Sequence, residues 1–300
     1  MYNLLQKTKG SPIKTPSILE QFRSFCAQNK PHDLEQAVLY FSIFGGLGWE
    51  IDMDEDLEIL IDEVILDNYE SLHKDITGVT HANPTWHGVL SGIAMGDRRS
   101  HSAFKRARVS QNEGEEALKE LCAKGVITQE NAKSRSFFED VPVSNKFKFA
   151  VPFVRFWFAF VSPLFKGIKE GEFEEFHEKF ANHRQEFVTF IYEELFRELV
   201  KLSYKEDPIV ESGGFWNKEI DIELFAKTKS GKVLVGTLKL SKEKMKKSEL
   251  TKLQEKAASA SLNPSAYILF SKSGFSNELK ALKGENVKLF SLKNFKALLD

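Results

Sequence analysis

GGFWNKEIDIELFAKTKSGKVLVGTLKL, residues 213–240, decides the fold, because it holds two strand patterns joined by a turn. In the first pattern, residues 219–224, apolar side chains alternate with carboxylates, so that the acids share one face of an extended segment. The second pattern, residues 232–240, is rich in strand-forming residues, and the Ser-Gly step at 230–231 supplies the turn. This stretch therefore predicts a β-hairpin.

Two side chains of the hairpin suggest phosphodiester chemistry. Asp221 lies on the first strand and Lys239 on the second, and opposed side chains on neighbouring strands approach within about 5 Å. Carboxylates hold a divalent cation that activates water, and a lysine stabilises the attacking oxygen. Thr237 stands where the middle acid of a D…(E)-x-K pattern belongs. The pattern predicts a nuclease core that lacks one acid; the alternative is a solvated hairpin face that discourages aggregation.

Three blocks of this chain resemble one known family. The blocks are residues 215–221, residues 235–239 and the aromatic segment KFAVPFVRFWFAFVSP at 148–163. Together they are similar to the PD-(D/E)XK, or restriction-endonuclease-like, domain of unknown function at the C-terminus of archaeal-type P-loop ATPases. The resemblance covers about residues 84–300 and implies a winged helix-turn-helix followed by a mixed sheet flanked by helices.

The resemblance also implies roles for individual residues. It implies Glu194 on a helix, with Glu193 as the alternative, together with Asp221 and Lys239 as the catalytic set. The metal ligands would be Asp221 and Glu194, and Glu223 could replace the missing acid because it shares the face of Asp221. The cofactor of such a site would be Mg²⁺.

Composition sets broad limits on the protein. The 300 residues include 42 basic and 43 acidic side chains, so the net charge of −1 neither demands nor excludes a nucleic acid. Two cysteines far apart predict reduced thiols and no zinc site. Residues 1–14 lack the apolar core of a signal peptide, which favours a cytoplasmic location.

The hydrophobic patterns predict an α+β or α/β protein in three parts. Residues 1–80 would form a helical N-terminal region, residues 81–165 a winged-helix-like domain ending in an aromatic helix, and residues 166–300 the nuclease-like domain. The aromatic stretch at 147–165 is interrupted by an arginine and bounded by prolines. We therefore expect a buried helix there and no membrane partner.

Two basic stretches are candidates for nucleic-acid contacts. The candidate residues are Arg98, Arg99, Lys105, Arg106 and Arg108 in the first stretch and Lys242 and Lys246 in the second. The second stretch is part of a helix predicted over residues 241–256. The predicted recognition helix at 112–127 is acidic, however, which argues against base readout in the major groove. DNA contact and a protein-docking scaffold are equally compatible with this winged-helix-like part.

No G-x-x-x-x-G-K-[ST] motif occurs, so no nucleotide cofactor is expected. The sequence therefore favours a DNA-binding protein whose nuclease-like domain is degenerate and inactive or weakly active. The alternative is a non-enzymatic scaffold that binds a protein partner, and a narrower one is an active Mg²⁺-dependent nuclease.

Overall fold

The computed structural model describes residues 15–130 and 145–300. Residues 1–14, and the first part of a β-like segment that the sequence predicts at 134–149, lie outside these ranges. Among the described residues, 15–129 with 145–188 form one compact unit, and Glu130 with 189–300 forms a second.

The first unit starts with helices whose ends follow local capping rules. They are α1 (Ile18–Asn29), α2 (Leu34–Phe44), α3 (Leu57–Ile61) and α4 (Tyr69–Thr80), with a π-helical turn at Asp62–Leu66 after α3. Ser17 and Glu20 form a capping box at the start of α1, and the Asp33 side chain caps α2. Serine and aspartate are both favoured at N-cap positions, because their side-chain oxygens accept from the free backbone N–H groups of the first turn.

Three helices and two short strands come next. They are α5 (Pro84–Ala94), α6 (Ser100–Ala107), α7 (Gln111–Ala123), β1 (Ile127–Glu130) and β2 (Lys146–Phe149). The strands form a two-stranded sheet. The three helices agree with the sequence prediction, which also places one β-like segment at 134–149; β2 lies in that segment, whereas β1 is not predicted.

The aromatic segment is buried, as predicted. It forms α8 (Pro152–Phe156), a π-helical turn (Trp157–Val161), a 3₁₀ turn (Ser162–Leu164) and α9 (Phe165–Glu170). Every residue of α8 and of the π-helical turn is buried. No helix in the described ranges is long and apolar enough to cross a membrane.

A 30-residue helix, α10 (Glu174–Ser203), begins in the first unit and ends in the second. The sequence predicts this helix from phenylalanines that recur at helical spacing, and four of them, Phe176, Phe180, Phe187 and Phe196, are buried. The last turns of α10 carry Glu193 and Glu194, the two acids named by the family resemblance.

The second unit is built around a five-stranded mixed sheet. Its strands are β3 (Ile209–Trp216), β4 (Asp221–Thr228), β5 (Val233–Lys239), β6 (Ala266–Ser271) and β7 (Val287–Ser291), adjacent in that order. The first three pair antiparallel, whereas β6 pairs parallel with β5 and β7 pairs parallel with β6. The sheet is flanked by α11 (Lys247–Ser259), α12 (Asn277–Ala281) and a 3₁₀ segment (Leu292–Leu298). The predicted fold class, helices followed by a mixed sheet flanked by helices, is confirmed.

One predicted boundary in this unit is wrong. The basic helix predicted over 241–256 begins only at Lys247, after an extended Lys246. Met245 forms a bridge with Phe275 and is almost completely buried in the core that α11 shares with the sheet. Burying this side chain keeps residues 242–246 out of the helix, although their composition is compatible with one.

Candidate functional site

The carboxylate of Glu194 is held by a buried arginine one turn further along α10. Arg197 donates from Nη1 to Glu194 Oε1 at 2.9 Å and to Glu130 Oε1 at 2.7 Å. Only 6% of Arg197 is exposed. Burial disfavours the charged guanidinium, but the nearby carboxylates outweigh this effect and raise its pKa. Arg197 is therefore a permanent cation between two acids.

The same guanidinium also fixes the backbone of two strands. Its Nε and Nη2 atoms donate to the main-chain oxygen of Glu223 on β4 at 3.0 and 2.7 Å. Glu130 Oε1 accepts a further bond from the backbone N–H of Gly214 on β3 at 3.0 Å. A Cβ atom at Gly214 would lie 3.2 Å from Arg197 Nη2, so this position favours glycine. Arg197 thus joins α10 to the sheet at the predicted site.

The hairpin register brings Glu223 opposite Thr237. Leu224 on β4 pairs with Gly236 on β5, and the next pair in this antiparallel register is Glu223 with Thr237. The Glu223 side chain is partly buried, and its inaccessible Oε2 atom has no hydrogen-bond partner among the described residues. Burial raises the pKa of Glu223 and the charge of Glu193 raises it further, while Lys256 and the Thr237 hydroxyl act in the opposite direction. Glu193 is thus the acid whose charge acts against ionisation of Glu223.

The two other predicted catalytic residues have separate partners. Lys256 on α11 donates from Nζ to the main-chain oxygen of Asp221 at 2.8 Å. The Lys239 ammonium lies 3.5 Å from the carboxylate of Glu243. Asp221 and Lys239 lie at facing ends of β4 and β5, as predicted, but their catalytic roles remain predictions.

The carboxylates of this site do not fit a divalent cation well. Glu194 is turned toward Arg197, whereas Asp221 and Glu223 lie on β4 and Glu193 lies on α10. In the parts of the chain that the structure describes, no three His, Cys, Asp or Glu side chains are grouped closely enough to hold a metal ion. The predicted ligands Asp221, Glu194 and Glu223 are therefore not brought together as one set.

Some of the predicted nucleic-acid contacts in the first unit are buried or bonded within that unit. Arg98 is 5% exposed, and Arg106 donates from Nη1 to the main-chain oxygens of Gly92 and Met95 at 2.9 and 2.8 Å. Arg99 precedes α6 and its side chain is partly buried. Lys105 and Arg108 are exposed. Of the five candidates, Lys105 and Arg108 are therefore exposed to solvent without a hydrogen bond to the main chain like those of Arg106.

The predicted contacts of the second unit stay in solvent. Lys242 and Lys246 are exposed, and so is Lys244 between them. Within the described ranges, no carboxylate forms an ion pair with any of these three ammonium groups. The segment lies between β5 and α11, directly after Lys239.

Sequence reasoning missed Arg197 and Glu130. Arg197 follows Glu194 by three positions and Phe190 by seven, which places all three on one face of a helix. An arginine on an apolar stripe beside an acid is a usable signal for a buried ion pair. Glu130 has no comparable signal, because it precedes Arg197 by 67 positions and belongs to a different element.

Comparison with known proteins adds one finding. Residues 157–253 match a family described as archaea bacterial proteins of unknown function, DUF234. The match runs from the aromatic segment to the middle of α11 and so includes Arg197, the β4–β5 hairpin and the exposed lysines. No curated protein and no solved structure matches this chain.

Proposed function

We propose that this protein binds DNA through the sheet domain of its second unit and that the nuclease-like site there is catalytically degenerate. The observation that carries the proposal is the lysine segment, which we define as residues 242–246. It presents three exposed ammonium groups without carboxylate partners among the described residues, directly after the strand that carries Lys239. Uncompensated lysines in such an arrangement attract a phosphate backbone and release counterions when it binds.

Two features support the degenerate state of the site. Thr237 faces Glu223 where a second carboxylate would add charge for a cation, and affinity for Mg²⁺ depends on that charge. Glu194 is already paired with Arg197, whose guanidinium bonds its Oε1 atom. DNA binding would therefore persist although phosphodiester hydrolysis is lost or very weak.

The first unit supports a different role. The exposed face of α7 carries Glu115, Glu116 and Glu120, which repel phosphate, and Arg98 is buried. We propose that this unit docks a protein partner and that the DNA contacts lie in the sheet domain. This division assigns the scaffold function to one unit and the nucleic-acid function to the other.

The test is a binding titration that varies the salt concentration. Fluorescence anisotropy of a labelled short duplex is measured for the wild type, for Lys242→Gln/Lys244→Gln/Lys246→Gln and for the control Lys283→Gln, an exposed lysine before β7. We expect the triple variant to lose about 3 units from the slope of log K against log salt, and the control to lose none. Equal binding by the wild type and the triple variant would refute the proposed surface.

The same preparations decide between the degenerate and the active site. Incubation of a supercoiled plasmid with Mg²⁺ or Mn²⁺ is expected to leave it intact with the wild type. Cleavage that disappears in both Asp221→Ala and Lys239→Ala would establish a nuclease and refute the degenerate state. Cleavage that survives both substitutions would come from a contaminant.

A further inference from the structure

Two cations of the polypeptide lie among the carboxylates of the nuclease-like site. Arg197 binds Glu130 and Glu194 through one nitrogen and holds the main chain of Glu223 through the other two. Lys256 is anchored at 2.8 Å to the main-chain oxygen of Asp221, and its charge acts on the carboxyl group of Glu223. Glu194 on α10 therefore already has a positive partner, and Lys256 brings a second positive charge to the acids of β4.

This arrangement differs in kind from a metal site. A hard divalent cation binds where several carboxylate oxygens converge and the excess negative charge has no other partner. Here one guanidinium binds Glu130 and Glu194, and one ammonium group from α11 bonds the main chain of Asp221 on β4. A metal ion at this place would have to displace or repel both cations.

We propose that Arg197 and Lys256 neutralise the acids of this site in place of a divalent metal ion, so that the nuclease-like domain is a metal-independent structural unit. This inference rests on the proposed function and deepens it, because it explains how the acids of a degenerate site can be stable without a metal ion. It assigns Arg197 a role in joining α10 to β3 and β4, and Lys256 a role in excluding a metal ion from the β4 acids.

The first experiment measures Mn²⁺ binding to the wild type by electron paramagnetic resonance of the free ion, with Glu223→Gln as the matched variant. We expect the same Mn²⁺ binding curve for both proteins, and the same melting temperature in EDTA as in Mn²⁺. Stoichiometric binding by the wild type that is lost in Glu223→Gln would overturn the inference. Weak binding that is equal in both proteins belongs to other acids and agrees with the inference.

The second experiment rebuilds the missing acid. Thr237→Glu adds a carboxylate opposite Glu223, and Thr237→Glu/Lys256→Met also removes the competing ammonium group. We expect the double variant to bind Mn²⁺ at least about 10-fold more tightly than the single variant, since removing one adjacent positive charge is worth about 1.4 kcal/mol or more in such a site. Equal affinities would show that Lys256 does not exclude a metal ion. Because Lys256 is exposed, its replacement should not prevent folding.

The third experiment tests the structural role of Arg197 by measuring the melting temperature of two variants. Arg197→Met leaves Glu130 and Glu194 without their shared cation, and we expect the melting temperature to fall by about 10 °C or more, or the protein not to fold. Arg197→Lys keeps the charge and should lose less. A methionine variant that melts within about 2 °C of the wild type would overturn the role of Arg197. DNA binding through the lysine segment is measured separately, so the proposed function and this inference can fail independently.

Discussion

The molecule contains two positively charged segments that use their charge in opposite ways. In the arginine segment, residues 98–108, Arg98 is buried and Arg106 bonds the carbonyl groups at the end of α5. In the lysine segment, the three ammonium groups at 242, 244 and 246 remain in solvent. A planar guanidinium with five donors suits fixed bonds inside a fold, whereas an ammonium group keeps its hydration. The number of positive residues in a segment therefore does not identify a nucleic-acid surface.

The largest effect is expected when matched charges are reversed in the two segments. Lys105→Glu/Arg108→Glu changes two exposed residues of the arginine segment, and Lys242→Glu/Lys246→Glu makes the same change of charge in the lysine segment. We expect the second pair to weaken DNA binding about 100-fold at low salt and the first pair to weaken it less than about threefold. Fluorescence anisotropy measures both. The reverse order of effects would move the DNA contacts to the first unit.

A second substitution tests whether Arg106 is a structural residue. Arg106→Ala removes the two bonds to Gly92 and Met95, and we expect the free energy of unfolding to fall by about 1–3 kcal/mol. DNA affinity should not change. Urea denaturation measures the effect, with Lys105→Ala as the control expected to lie within about 0.5 kcal/mol of the wild type. A loss of DNA binding at unchanged stability would instead assign Arg106 to the ligand.

A third substitution, at Gly96, tests the position of the Arg106 guanidinium from the residue that lies against it. Gly96 has a φ angle of +77°, and a Cβ atom there would meet the guanidinium of Arg106. We expect Gly96→Ala to cost about 1–2 kcal/mol from the backbone strain and from the displaced arginine. The double variant with Arg106→Ala should cost less than the sum of the single variants, because both remove one interaction. Gly284→Ala, where a Cβ atom meets nothing, is the control for urea denaturation.

The smallest effect concerns a partly buried acid, Glu223, in the unit that carries the lysine segment. The pKa of Glu223 is raised above its ordinary value of 4.5, mainly by burial, so the folded state holds this proton more tightly than the unfolded state. The resulting stability is present at pH below 4.5 and is lost as the pH rises. Glu223→Gln should therefore raise stability at pH 7 by less than about 1 kcal/mol and leave it unchanged at acidic pH.

Thermal melting across this pH range measures the effect, and Glu219→Gln, an exposed acid just before β4, is the control. A stabilisation of Glu223→Gln that is equal at both ends of the pH range would show that the carboxyl group does not titrate differently in the folded state.

The sequence by itself determined those features that depend on local geometry. The alternation at 219–224 and the Ser-Gly turn at 230–231 predict the β4–β5 hairpin, and Gly231 adopts a φ angle of +89° in it. Spaced phenylalanines predict α10, and the interrupted aromatic segment is buried as expected. These predictions succeed because the period of a strand or helix is fixed by the backbone and is visible in any short window.

The tertiary structure alone decided which charges meet. Glu130 reaches Arg197 across 67 positions of sequence, Arg106 turns back onto the end of α5, and Met245 enters the core and holds the lysine segment out of α11. These contacts follow from the burial of apolar side chains and from the need to pair a buried charge with a partner. Both depend on which elements pack together, which no local pattern records.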